Sequence, residues 1–178
     1  MKTPTVSTVA AVSILLVGCS KQDVPPGTSP SPAVEQAGKA PAAVPIAEPA
    51  MTAWQQGDQA TAVAKFVGAD WSSHPLFAPD SALSLSEARF NAFSDAENRV
   101  RSAELISQLD SLKQLARAVI QTGDDALAKG DTAQARKCFT SLGQCGAALN
   151  TPNRGRLVQL VGQAFQKRAK GELAKIGQ

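Results

Sequence analysis

Apolar residues in the central part of the chain recur at alternating spacings of four and three. Between Ser94 and Lys129, the positions Leu105, Leu109, Leu112, Ala116, Val119, Gly123 and Ala126 form one seam of a long helix. Leu115, Ile120 and Leu127 flank the seam and widen it beyond a two-stranded coiled-coil stripe, so the pattern predicts packing against neighbouring helices of the same chain. A second periodic segment covers about Asn153 to Ile176, with Val158, Val161, Phe165, Ala169, Leu173 and Ile176 along one side. Gly155 and Gly162 lie two turns apart in it. Glycine costs a helix about 1 kcal/mol against alanine, so the pair marks a place where another helix comes close. Strand signals are missing: no sustained alternation of β-branched and polar residues occurs, and no Asn-Gly or Asp-Gly hairpin turn. Start signals agree with helices. Ser84 with Glu87 and Ser94 with Glu97 have capping-box spacing, and Pro152 suits the first turn of the last helix.

Upstream of the periodic region the pattern changes twice. Val6 to Val17 is an uninterrupted weakly polar to apolar run behind Lys2, too short to span a bilayer and of the length of a signal-peptide core. Residues 20–47 carry Pro25, Pro26, Pro30, Pro32, Pro41 and Pro45 among Ala, Ser and Gly, with no apolar period to bury. Such a stretch is extended and polyproline-like, reaching at most about 85 Å at about 3.1 Å per residue. The chain thus divides into a signal segment (1–18), a Pro/Ala-rich disordered spacer beginning at Cys19 (19–47) and one helical domain (48–178).

The end of the signal core, Leu16-Val17-Gly18-Cys19, resembles the lipobox of bacterial lipoproteins, in which small residues precede a cysteine that receives lipid and becomes the mature N-terminus. The resemblance implies lipidation (palmitate among the acyl groups) at Cys19, and several acyl chains together give stable anchoring where one does not. Ser20 follows the cysteine where an Asp would mark inner-membrane retention in the best-known sorting rule. The implied location is therefore the cell envelope, on the periplasmic face of the outer membrane.

Comparing the chain with itself shows one internal match. Residues 53–66 (AWQQGDQATAVAKF) align with residues 126–139 (ALAKGDTAQARKCF), identical at six of fourteen positions. Its weight lies in the Gly-Asp pairs, Gly57-Asp58 and Gly130-Asp131, and in Phe66 and Phe139, each nine residues after its glycine. Physically, Gly ends one helix in a left-handed conformation, Asp caps the next, and Ala62 or Ala135 and then Phe face the packing side. Each copy is then a helical hairpin. The pattern resembles the tetratricopeptide repeat, and Ala62, Phe66 and Ala69 match the small–aromatic–small signature of its second helix. In the second copy Ala135 and Phe139 match, Leu142 departs, and Val119, Gly123 and Ala126 approximate the preceding helix; a partial third unit opens at Val161-Gly162 and Phe165. The copies lie 73 residues apart, not a multiple of the family's roughly 34-residue period. The expected fold is all-α: irregular antiparallel helical hairpins, tetratricopeptide-like, behind the spacer.

Composition narrows the chemistry. Aromatic residues make up 4% of the 178 residues, with no tyrosine and one histidine, so the core is built from small and aliphatic side chains. His74 lies in Ser72-Ser73-His74-Pro75, a loop context without triad partners nearby in sequence. Asp124 and Asp125 sit beside Gly123 of the seam, and no loop supplies the six or more oxygens that calcium requires. Cys138 and Cys145, seven residues apart, would sit about 10 Å apart along one helix at 1.5 Å per residue; a disulfide needs the helix to break at Gly143. The alternative is two buried thiols. No cofactor, metal or catalytic residue is indicated.

The net charge of +3 conceals a division. Residues 48–131 hold seven basic and twelve acidic side chains, whereas residues 132–178 hold eight basic and one acidic. Arg154, Arg156, Lys167, Arg168 and Lys170 are candidate contacts for an anionic ligand, or face the acidic half of the same fold. Nucleic acid is set aside as a partner, since an exported lipoprotein rarely meets it and the segment holds no aromatic residue beyond Phe139 and Phe165 to stack on bases. The functional expectation is a non-catalytic lipoprotein that binds another envelope protein as a scaffold or assembly factor, with Trp54 as a candidate partner contact; the alternative is binding of a lipid phosphate or polysaccharide through the basic segment. Oligomeric state has no signature in the sequence.

Overall fold

Six α-helices and one short 3-10 turn account for the regular structure of residues 44–177, which are the residues described in the computed structural model. The signal segment, Cys19 and most of the spacer lie outside the described residues. The helices are α1 (Glu48–Gln55), α2 (Gln59–Val67), α3 (Glu87–Asn91), α4 (Asp95–Ala128), α5 (Thr132–Leu149) and α6 (Arg156–Ile176), with the 3-10 turn at Ala82–Ser84 between α2 and α3. Among the described residues there is no strand, so the all-helical reading holds. Consecutive helices α1–α2, α4–α5 and α5–α6 form the hairpins, and α4 is the spine on which α1, α2 and the 3-10 turn also pack.

Both copies of the internal repeat fold as the sequence predicts. Gly57 and Gly130 have φ of +80° and +77°, the left-handed conformation that favours glycine. In each turn the glycine N–H donates to the carbonyl three residues back (Trp54, Leu127), and the aspartate N–H donates to the carbonyl five back (Ala53, Ala126). Those two bonds satisfy the last carbonyls of the outgoing helix. Asp58 then accepts from the Thr61 N–H and Asp131 from the Gln134 N–H, capping α2 and α5. Ala62, Phe66, Ala135 and Phe139 are all fully buried.

The seam of α4 is buried along its length: Leu105, Leu109, Leu112, Leu115, Ala116, Val119, Gly123 and Ala126 face the interior. Gly123 lies within the helix, as the seam predicts. The helix runs through it to Ala128, since the 34-residue segment has no Pro and receives a complete capping box at Ser94 and Glu97. Gly123 makes room for an aromatic ring, because a Cβ there would lie 2.7 Å from Phe139 Cζ. The small residue in α4 and the large one in α5 are thus one packing unit.

Two start signals differ in the structure. Ser86, not Ser84, caps α3 by accepting from the Arg89 N–H, while the Ser84 hydroxyl donates to the Ala78 carbonyl. Pro152 lies in the α5–α6 connection, and α6 begins at Arg156 with Gly155 as its N-cap. Gly155 is therefore outside the helix, where its N–H donates to Leu85 O. Gly162 does mark a close approach: a Cβ on it would fall 2.6 Å from Gly146 O, and one on Gly146 would fall 2.7 Å from Gly162 O. Backbones of α5 and α6 meet there with no side chain between them. The ordered chain also reaches back before Glu48, as the N–H groups of Ile46 and Ala47 donate to the carbonyls of Pro75 and Leu76.

A buried polar knot ties the two repeat copies together. Trp71, in the loop after α2, packs against Phe66 with ring centroids 4.6 Å apart. Its indole Nε1–H donates to Phe66 O (3.1 Å) and Ser141 Oγ (2.9 Å), and the Ser141 hydroxyl donates to Phe66 O at 2.8 Å. Ser141 is on α5, so the end of α2 is bonded to the second hairpin. The arrangement satisfies groups that would otherwise cost about 1 to 3 kcal/mol each when buried.

Candidate docking groove

The helix caps place α2, the C-terminal half of α4 and the N-terminal half of α5 around a groove of about 840 Å³. Its floor is apolar and shallow-walled: Ala60, Val63, Ala64 and Val67 follow the helical period along α2, and Ala118 faces them from α4. Val63 and Val67 are half-buried and pack on the core, whereas Ala60 and Ala64 are exposed. Gln59, Gln121 and Gln134 supply the polar rim. At Val67 and Lys137 the groove continues into a trough along α5 that runs from Thr132 to Gln144 and includes Arg136 and Thr140. The twelve steps from Thr132 to Gln144 make this trough about 18 Å long at 1.5 Å per residue. No resemblance or motif in the sequence pointed to these residues, because the alternation of Ala and Val on α2 looks the same whether the face is covered or open.

Trp54 does not line the groove. It is half-buried and packs on the core at the end of α1, so part of its ring already serves the fold. The basic residues of the C-terminal segment separate into distinct roles rather than one patch. Arg154 is held in the structure, donating to Leu83 O at 2.8 Å with its guanidinium 5.5 Å from the centroid of the Phe77 ring. Burial pulls its ionisation below the ordinary arginine value, as expected for a cation partly removed from water. Arg156 begins α6, where its backbone N–H donates to Glu87. Arg168 pairs with Glu172 at 3.1 Å and lies 4.0 Å from Asp124, which links α6 to α4. Glu172 is buried and also receives Lys175 at 3.0 Å. Lys167 and Lys170 are exposed and take part in no ion pair among the described residues. Part of the C-terminal positive charge is thereby spent inside the fold.

The remaining chemical candidates lie on separate elements. Cys138 and Cys145 are free, buried thiols on the unbroken helix α5, and burial raises both above the ordinary thiol value, Cys145 strongly. A raised value keeps them protonated and poorly nucleophilic. His74 is exposed in a loop, and Asp124 and Asp125 belong to the last turns of α4. Among the described residues no group of three or more His, Cys, Asp or Glu side chains is placed to hold a metal ion, and no helix is long and apolar enough to cross a membrane. The chain matches no family model, no curated protein and no solved structure. The tetratricopeptide resemblance accordingly rests on the Gly-Asp turn and its packing residues alone.

Proposed function

We propose that the chain is a lipid-anchored protein of the bacterial envelope, not an enzyme, whose helical body binds another envelope protein and serves as a scaffold or assembly factor. Cys19 carries the lipid, the Pro/Ala-rich spacer of residues 20–47 lets the body reach away from the outer membrane, and the tetratricopeptide-like hairpins present the docking surface. The observation that carries this reading is the groove between α2, α4 and α5. It is floored by small apolar side chains that contribute contact area, rimmed by amides, and without a converging set of nucleophile, base and oxyanion donors.

Two measurements test it. A photo-crosslinking side chain at Ala64, in the groove, is expected to give a discrete adduct with one envelope protein in native cells, while the same side chain at exposed Ala147 gives none. Adducts at both positions alike, or at neither, would overturn the groove assignment. Replacing Cys19 with Ser is expected to move the protein from the membrane to the soluble fraction; tight membrane association of the variant would sink the lipid-anchor part.

A further inference from the structure

We infer that the segment seated in this groove is acidic: a short stretch of the partner protein in which Asp or Glu alternates with small apolar residues, its carboxylates meeting Arg136 and Lys137. The inference rests on the groove reading above and adds the chemistry of the occupant.

Charge is the first argument. Neither the groove nor its continuation along α5 has a carboxylate in its lining, whereas both contain Lys137 and the trough adds Arg136. The two cations are exposed and join no ion pair among the described residues. Three acidic residues that flank the lining in sequence bond within their own helices. Asp131 accepts from the Gln134 N–H, Asp58 from the Thr61 N–H, and Asp125 from the Gln121 amide. This contrasts with Arg168, whose charge is met inside the fold by Glu172. Positive charge along one wall, with neither cation held in an ion pair, favours an anionic occupant.

Shape is the second. Ala60, Ala64 and Ala118 keep the α2–α4 part open, and no aromatic side chain lines either part, so base or sugar stacking has no platform. A lipid headgroup would engage Arg136 and Lys137 but leave the floor of Val63 and Val67 uncovered. A peptide with alternating side chains uses both, one set on the floor and the other toward the cations. About six extended residues span the roughly 18 Å trough at about 3.3 Å per residue.

The test uses the full-length lipoprotein in nanodiscs of zwitterionic lipid, titrated into two fluorescent peptides of about ten residues. One alternates Glu with Ala and Val; the other has Gln in place of every Glu. By fluorescence anisotropy the Glu peptide is expected to bind at least about tenfold more tightly at low salt, with the preference shrinking as ionic strength rises. R136E/K137E is expected to abolish or reverse the preference, and Ala64→Trp to block both peptides; all three positions are exposed, and circular dichroism checks that the variants stay folded. Equal binding of both peptides, still blocked by Ala64→Trp, would overturn the acidic inference and leave the groove standing. Binding of neither peptide, or binding insensitive to Ala64→Trp, would overturn both. Anionic vesicles that bind through Arg136 and Lys137 and displace the Glu peptide would also overturn it, assigning these cations to lipid.

Discussion

The turns at Gly57-Asp58 and Gly130-Asp131 have the same backbone angles, the same two closing hydrogen bonds and the same aspartate cap, yet they join very different helices. The first connects helices of 8 and 9 residues, the second helices of 34 and 18. Phe66 of the first copy is covered by the Trp71 ring from the following loop, and Phe139 of the second by the gap at Gly123 and by α6 residues Leu173 and Ile176. A fourteen-residue pattern therefore specifies a hairpin and its buried aromatic, while what covers the aromatic comes from sequence far outside the pattern. That is why the repeat is visible locally and the 34-residue period is not.

The comparison breaks most readily at the aromatics. Phe66→Ala and Phe139→Ala are each expected to destabilise the protein by about 3 to 5 kcal/mol, measured by chemical denaturation. Phe66→Ala also removes the ring under Trp71, so a shift in tryptophan emission accompanies it and not the other. A loss under about 1 kcal/mol for either would mean that its hairpin packs differently. Next in size is the α5–α6 contact, which the first copy lacks. Gly146→Val forces a side chain against Gly162 O and the Gln166 backbone, and overpacking of this kind costs about 1 to 3 kcal/mol or more. The first hairpin offers no equivalent test, because α2 contains no glycine.

Gly57→Ala and Gly130→Ala sharpen the likeness instead. Nothing lies within 4 Å of a Cβ built at either position, so the whole cost is that of a positive φ, about 1 to 2 kcal/mol, and the two values should agree. A large difference between them would show that one turn is held by tertiary contacts rather than by its own conformation. Smaller again is Ser141→Ala. It removes the hydroxyl that bonds Phe66 O and Trp71 Nε1, the link between the copies, at an expected cost of about 1 kcal/mol because the indole still reaches Phe66 O.

Much of this architecture was legible in the sequence, for reasons that differ by element. The α4 seam, the Gly-Asp turns and the Ser94–Glu97 capping box are read from spacings within one or two turns, and those spacings are set by helix geometry alone. Ser86 was missed as the cap of α3 because Ser84 offers the same residue type at capping-box distance from Glu87, and local pattern cannot tell which serine the chain bends at. Gly155 is another such case: a glycine inside a helix at a close contact, like Gly162, and one that begins a helix look alike in one dimension. The Trp71–Ser141–Phe66 knot joins residues up to 75 positions apart and has no sequence signal. Arg154 belonged by composition to a basic segment, and only its contacts with Leu83 and Phe77 reveal a structural cation. The groove was illegible, since it is defined by three helices that meet without covering the α2 face.

The turn likeness has a pH-dependent side at Asp58. Hydrogen bonds from Thr61 hold its carboxyl below the ordinary 3.8, since they favour the charged form. A group whose folded value is depressed binds fewer protons in the folded state than in the unfolded state across the interval between the two values, so stability must fall as pH drops through that interval. The contribution is present in full above the ordinary carboxylate range and is lost as the folded-state value is passed. Asp58→Asn keeps a capping oxygen and removes the charge. The expected result is a variant close to wild type in denaturant midpoint at neutral pH but less sensitive to acidification below about pH 4. Identical acid profiles for wild type and variant would show that the Asp58 cap works as a neutral hydrogen-bond acceptor, and that its ionisation is the same in the folded and unfolded chain.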